Sequence, residues 1–198
     1  MRWIKPFVFL LCLLPLLRLF ILGLYDALGP DPVAFLIHST GIWSLVLLMV
    51  TLTVTPLRRL LRIAQLLTLR RMFGQYAFFY GIVHFLLYAY FDQYLKWEAI
   101  WHDVISRPFI TTGFISLVLL VPLSLTSTNS WVKRLGPNRW RKLHRLVYPS
   151  AILAVLHFWL EVKRDLSQPL IYATLLGILL TYRIAYWLYV RCRPFVHR

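Results

Sequence analysis

Apolar residues run along this chain in long blocks separated by short polar stretches, and the block length matches a lipid bilayer. A helix needs about 20 mostly apolar residues to cross the hydrocarbon core. Blocks near that length lie at Phe7–Leu24, Val33–Pro56, Gly74–Phe91, Phe109–Leu125, Leu146–Leu160 and Pro169–Val190. The pattern predicts an all-α fold: a polytopic membrane helical bundle of about six transmembrane helices, with residues 1–198 forming one domain. Pro15 and Arg18 inside the first block predict a kink there. Gly29-Pro30, Pro56, Pro108 and Gly136-Pro137 read as breakers at block ends. No internal repeat or low-complexity segment is apparent. The basic start and first apolar run are not followed by a small-x-small cleavage site, so this block reads as a retained first helix.

Composition supports lipid as the solvent. Of 198 residues 60% are hydrophobic, and the mean hydropathy is +0.67, values outside the range of soluble domains. The 8 Trp, 11 Tyr and 13 Phe suit interfacial belts. A formal net charge of +15 raises nucleic-acid binding, but the basic residues sit between apolar runs and not on one soluble face, so no nucleic-acid partner is expected. Topology accounts for them. One set of connections (Met1–Pro6, Leu57–Phe73, Thr126–Arg145 and Arg183–Arg198) is basic with no acid, whereas the opposite set holds all 7 acidic residues. The positive-inside rule then places both termini in the cytoplasm, which requires an even number of spans. Cys12 and Cys192 show no C-x-x-C spacing and read as free thiols.

Ionisable groups within a span are expensive and mark function. His84 and His157 lie inside the third and fifth blocks, which run in the same direction. They stand ten residues past Gly74 and eleven past Leu146, so at roughly 1.5 Å per residue the imidazoles reach nearly one depth. Two neutral imidazoles at one level on neighbouring helices can hold one haem iron axially. Phe78, Phe79, Tyr80, Phe85, Phe158 and Trp159 would supply flat walls. The plain alternative is that each histidine only bonds a neighbouring carbonyl. His144 falls about 20 Å lower on nearly the same face as His157. At its level the third block carries Arg70 and Arg71, not a histidine. It points to a second site, helps to hold a flavin, or caps the helix start. His38 reads as a solvated interfacial residue; His102 and His197 carry no signal. Arg18 and Arg183 read as snorkelling toward headgroups, and Arg107, Lys163 and Arg164 as partners of haem propionates or lipid phosphates. The basic clusters around Arg58 and Arg139 suit a flavin phosphate, a partner protein or anionic lipid.

No G-x-G-x-x-G, P-loop or intramembrane carboxylate pair is present, so an electron donor must come from elsewhere. Three functions stay open: an electron-transfer subunit, a stand-alone ferric or quinone reductase, and a metal-ion or proton transporter lined by histidines.

Several stretches carry a resemblance. They are Gly29-Pro-Asp-Pro-Val33 leading to His38-Ser-Thr-Gly41, Thr55-Pro-Leu-Arg58, Arg70-Arg71 before His84, and Ser106-Arg-Pro108. Leu125-Thr-Ser-Thr128, Lys133-Arg-Leu-Gly136, Trp140-Arg-Lys-Leu-His144-Arg-Leu-Val-Tyr148 and His157 complete them. Together they resemble the MsrQ (YedZ) family of haem-binding membrane subunits, within the ferric-reductase-like transmembrane superfamily. The resemblance implies haem b held by His84 and His157, with His144 also important. It further implies flavin mononucleotide (FMN) near the cytoplasmic side and, as donor, a cytoplasmic flavin reductase or the quinone pool. The implied location is the bacterial inner membrane, and the implied partner is a periplasmic molybdenum-containing methionine sulfoxide reductase subunit.

Overall fold

The structure is a computed structural model and describes residues 4–63 and 66–192. Arg2, Arg193, His197 and Arg198 lie outside the described residues. The chain folds into helices α1 (Ile4–Leu24), α2 (Pro32–Leu61) and α3 (Leu66–Leu87), the last continuing as a π-helical turn, Tyr88–Asp92. Then come α4 (Trp97–Ser106), α5 (Pro108–Leu125), α6 (Asn129–Leu143), a 3-10 turn (His144–Leu146), α7 (Val147–Glu161) and α8 (Ser167–Cys192). Six helical stretches are long and apolar enough to cross a membrane, so the chain is an all-α polytopic membrane bundle.

Local chemistry sets the ends. Asp31 caps α2 by accepting from the Ala34 N–H at 3.0 Å, and Pro32 and Pro108 occupy first-turn positions of α2 and α5, where no N–H is needed. Gly136, at φ 74° and ψ 154°, breaks α6 into two helical pieces. Pro56, read from sequence as a helix end, lies inside α2. It removes one helical bond, the one that Leu52 O would accept. Arg183 on α8 donates to Leu52 O at 2.6 Å and to Tyr148 Oη at 2.9 Å. The proline therefore creates an acceptor that ties α8 to α2, and Arg183 is an interhelix strut and not a free headgroup partner. At Pro15 in α1, Tyr80 of α3 inserts its hydroxyl between a helical pair. It donates to Cys12 O at 2.8 Å and accepts from the Leu16 N–H at 3.2 Å. A side chain in the hydrogen-bond ladder is a recognised cause of kinking.

The core lies where α2 packs along α3 and α5 along α7. Leu48, Leu52, Ala77, Tyr80, Ala151 and Phe158 are buried there, while α1 and α8 present much of their apolar surface outward. A smaller cluster, Ala89, Ile100 and Val104, fastens α4 to one end of the bundle. Beside it, buried Asp103 accepts from Tyr88 Oη at 2.9 Å and Gln93 Nε2 at 2.8 Å and pairs with Arg107 Nε at 3.2 Å. Asp103→Ala leaves these donors without an acceptor and is expected to destabilise the protein by about 2 kcal/mol. Thermal unfolding in detergent should show a larger fall in midpoint for Asp103→Ala than for Asp103→Asn, which keeps one acceptor oxygen.

Candidate functional site

α3 and α7 bring the rings of His84 and His157 together, with centroids 6.0 Å apart and planes at 75°, an edge-on arrangement. Each ring is anchored from behind in the same way. His84 Nδ1–H donates to Ile37 O on α2 at 2.8 Å, and His157 Nδ1–H donates to Phe109 O on α5 at 2.6 Å. A carbonyl only accepts, so the proton sits on Nδ1 and the Nε2 lone pair is left for the cavity both rings line. A second ring nitrogen bonded to a carbonyl is the usual support of a metal-ligating histidine. The plain alternative from sequence, a carbonyl-bonded histidine, describes both rings, and it leaves each Nε2 able to take a metal.

Spacing bears on what the pair could hold. Two metal–imidazole bonds of about 2 Å, plus the distance from nitrogen to ring centre, put facing rings roughly 6 Å apart. The observed 6.0 Å matches one metal atom between them.

Two glycines make the approach possible. A Cβ on Gly41 would lie 3.0 Å from the His84 ring, and one on Gly113 would lie 2.8 Å from His157 Nδ1. Each glycine stands four residues after the carbonyl that anchors its histidine. Nearby, Ser44 Oγ donates to Ala77 O at 2.8 Å and Ser116 Oγ donates to Ser150 O at 2.9 Å. The α2–α3 and α5–α7 pairs are thus built alike, a repeat that the sequence reading did not register. Its trace is present: Ser39-Thr-Gly41 against Thr111-Thr-Gly113, and His84-Phe85 against His157-Phe158, offset by 72 and 73 positions.

The cavity measures about 590 Å³, within the range of small-molecule and cofactor sites. Ile42, Leu45, Phe85, Phe109, Phe114, Leu117 and Phe158 give it apolar walls. Of the aromatic walls expected from sequence, only Phe85 and Phe158 line it. Tyr80 turns to α1 instead, and Phe78, Phe79 and Trp159 are not among the lining residues. His38, read from sequence as merely solvated, is in the wall, its ring 5.9 Å from that of Phe158. The signal was its register with Gly41 and Leu45 on one face of α2. Asp31, Asp92, Arg107 and Glu161 also line the cavity, so connections from the acid-bearing set meet at its mouth. Lys163 and Arg164 are not among the lining residues.

His144 is placed apart, in a polar lock at the opposite end. Thr126 Oγ1 gives its proton to Pro122 O at 2.6 Å, so it accepts from His144 Nε2–H at 3.1 Å. The ring stacks on Trp140 at 3.9 Å and 29°, and Trp140 Nε1 donates to Thr126 O at 2.8 Å. Arg71 lies over Trp140 at 5.2 Å and donates to Asn129 Oδ1 at 2.7 Å. These bonds lock the Leu125–Thr128 and Trp140–Tyr148 stretches together. His144 carries its proton on the nitrogen opposite to that of His84 and His157. Among the described residues, no group of three or more His, Cys, Asp or Glu is placed to hold a bare metal ion.

Comparison with known proteins adds independent information. A family described as "Ferric reductase like transmembrane component" matches residues 40–155, a stretch that includes His84 and ends two residues before His157. A Ralstonia nicotianae protein named protein-methionine-sulfoxide reductase heme-binding subunit MsrQ is 46% identical over 191 residues, covering 96% of this chain and 88% of that protein. Proteins of the same name from Herminiimonas arsenicoxydans and Bordetella pertussis are 47% and 49% identical over 186 residues. Those alignments cover 93% of this chain and 85% and 90% of the relatives. No solved structure gives a match.

Proposed function

This chain belongs to the MsrQ family, within the ferric-reductase-like transmembrane superfamily, and from that membership we propose that it carries electrons across a membrane on haem b held by His84 and His157. The observation that carries this reading is the pair of imidazoles 6.0 Å apart, each with Nδ1 committed to a carbonyl. The chain's residues fit the group: two Nε2 lone pairs in an apolar cavity of about 590 Å³, with flat rings on its walls. Bound there, haem supplies a one-electron ferric–ferrous couple. The protein fixes ligand spacing and, by backbone acceptance at Nδ1, ligand basicity; its apolar walls hold water off the iron.

The finer assignments follow the family reading. The location is the bacterial inner membrane, with both termini cytoplasmic, and the acceptor is a periplasmic molybdenum-containing methionine sulfoxide reductase subunit. The donor is a cytoplasmic flavin reductase or the quinone pool. FMN is proposed at the basic end, where the guanidinium groups of Arg134, Arg139 and Arg141 and the partly exposed Trp131 ring suit a phosphate and a flat heterocycle. His144 serves that end by holding the Thr126–Trp140 lock in place.

The test is electron delivery. Dithionite-reduced protein in detergent, freed of excess dithionite and mixed anaerobically with a catalytic amount of its periplasmic reductase, is expected to be fully reoxidised only when methionine sulfoxide is also present. Reoxidation by ferric chelates alone, with no response to the reductase, would move the assignment to a stand-alone ferric reductase.

A further inference from the structure

α4 is ten residues long and differs from the spans around it. It connects α3 and its π-helical turn to α5, both long and apolar enough to cross a membrane, so it lies at a membrane face. Successive helical residues rotate by about 100°, which divides α4 into three sides. Ile100, Asp103 and Val104, exposed by 3%, 6% and 6%, pack against the bundle. Glu98, His102 and Ser106 form an exposed polar side. Trp97, Trp101 and Ile105, exposed by 67%, 55% and 79%, form an exposed apolar side at i, i+4 and i+8. A soluble surface helix has two sides, one buried and one polar. A third, apolar side carrying two tryptophans is the signature of a helix lying in a bilayer interface.

We propose that α4 lies flat in the headgroup region, with Trp97 and Trp101 seated at the boundary with the acyl chains, His102 and Ser106 toward water, and Glu98 and Ile105 at the margin between the two sides. The occupant of the apolar side is lipid, because α4 joins two stretches that are each long and apolar enough to cross a membrane and carries two exposed tryptophans, the residues favoured at a bilayer interface. Tyr90 and Leu95 before α4 and Ile115 and Val118 on α5 are exposed apolar residues of the flanking segments. The arrangement has a consequence for the cavity. Asp103 on the buried side holds Tyr88, Gln93 and Arg107, and Tyr88 and Arg107 line the cavity mouth. α4 therefore fixes the depth of that mouth relative to the membrane surface, whatever the cavity binds.

The experiment uses the full chain in nanodiscs of phosphatidylethanolamine and phosphatidylglycerol, carrying Cys12→Ala and Cys192→Ser. A nitroxide is placed singly through cysteine at 97, 101, 105, 98, 102 or 106, all exposed positions. Electron paramagnetic resonance power saturation then compares access to oxygen and to a water-soluble nickel chelate. Positions 97 and 101 are expected to favour oxygen and 102 and 106 the chelate, with 98 and 105, about 20° apart around the helix, falling between them. Equal chelate access at all six overturns the proposal. So does shielding of 97 and 101 from oxygen and the chelate alike, which would assign the side to a protein contact. A cysteine-independent arm uses brominated phosphatidylcholine, which should quench the tryptophan fluorescence of the wild type more than that of Trp97→Leu/Trp101→Leu. Equal quenching counts against the proposal.

Discussion

His84→Ala and His157→Ala are each expected to remove the haem absorption of the purified protein, lowering haem per chain by at least tenfold. The estimate is conservative, because loss of a residue that merely orients a metal ligand costs roughly 10–100-fold in affinity, and these are the proposed ligands themselves. Neither position has a substitute. His38 is the other histidine in the wall, but it is on α2 beside Phe158, whereas the matched spacing belongs to the α3–α7 pair. His144→Ala is expected to behave differently: its Nε2 is engaged by Thr126 at the opposite end, so haem in the cavity should persist while thermal stability falls. Pyridine-haemochrome quantification per mole of purified chain separates the three variants. Haem retained by a His84→Ala/His157→Ala double variant would remove the ligand assignment.

The second large effect is expected at residues that carry no reactive group. Gly113→Ala puts a methyl 2.8 Å from His157 Nδ1, and Gly41→Ala puts one 3.0 Å from the His84 ring. The obstructed atoms are rings anchored on backbone carbonyls, so they cannot swing aside without losing the bond at Nδ1. Overpacking of this kind costs about 1–3 kcal/mol, and 1.4 kcal/mol is tenfold in affinity. Haem affinity is expected to fall about tenfold or more for Gly113→Ala and less for Gly41→Ala, with shifted Soret bands in both. Gly177→Ala is the control, since nothing lies within 4 Å of its added methyl. It should leave haem binding unchanged and, as a helical glycine replaced by alanine, stabilise slightly. Haem titration of the three apoproteins measures the order. Equal affinity at Gly113→Ala and Gly177→Ala would show that ring packing does not set ligand geometry.

These variants also show which features the sequence carried openly. The membrane bundle was legible because bilayer thickness imposes a run length that few soluble helices imitate. The meeting of His84 and His157 was legible because a rise of 1.5 Å per residue converts position into depth. What lies across from a residue was not. Depth says nothing of azimuth: Phe79 and Tyr80 lie near the right level on α3, but neither lines the cavity, and Tyr80 turns to α1. Gly41 and Gly113 passed unnoticed because a missing Cβ has meaning only once the opposing ring is known. Pro56 misled for a related reason: a proline ends a helix unless the carbonyl it frees finds another donor, and Arg183 stands 131 residues away in sequence. His144 shows the opposite case, a residue with an obvious motif whose partners, Thr126 and Trp140, form a lock. The two-fold likeness of the α2–α3 and α5–α7 pairs rests on a few short matches that only their shared hydrogen bonds make visible.

The central claim, one metal atom gripped between His84 and His157, is tested most directly by electron paramagnetic resonance of the oxidised, detergent-purified wild-type protein, read beside its dithionite-reduced visible spectrum. Two axial imidazoles with planes at 75° should give a low-spin ferric signal of strong anisotropy, together with the sharp reduced bands of six-coordinate haem b. A colourless protein, a high-spin ferric signal, or a dithionite-reduced form that binds carbon monoxide at an open position would contradict it.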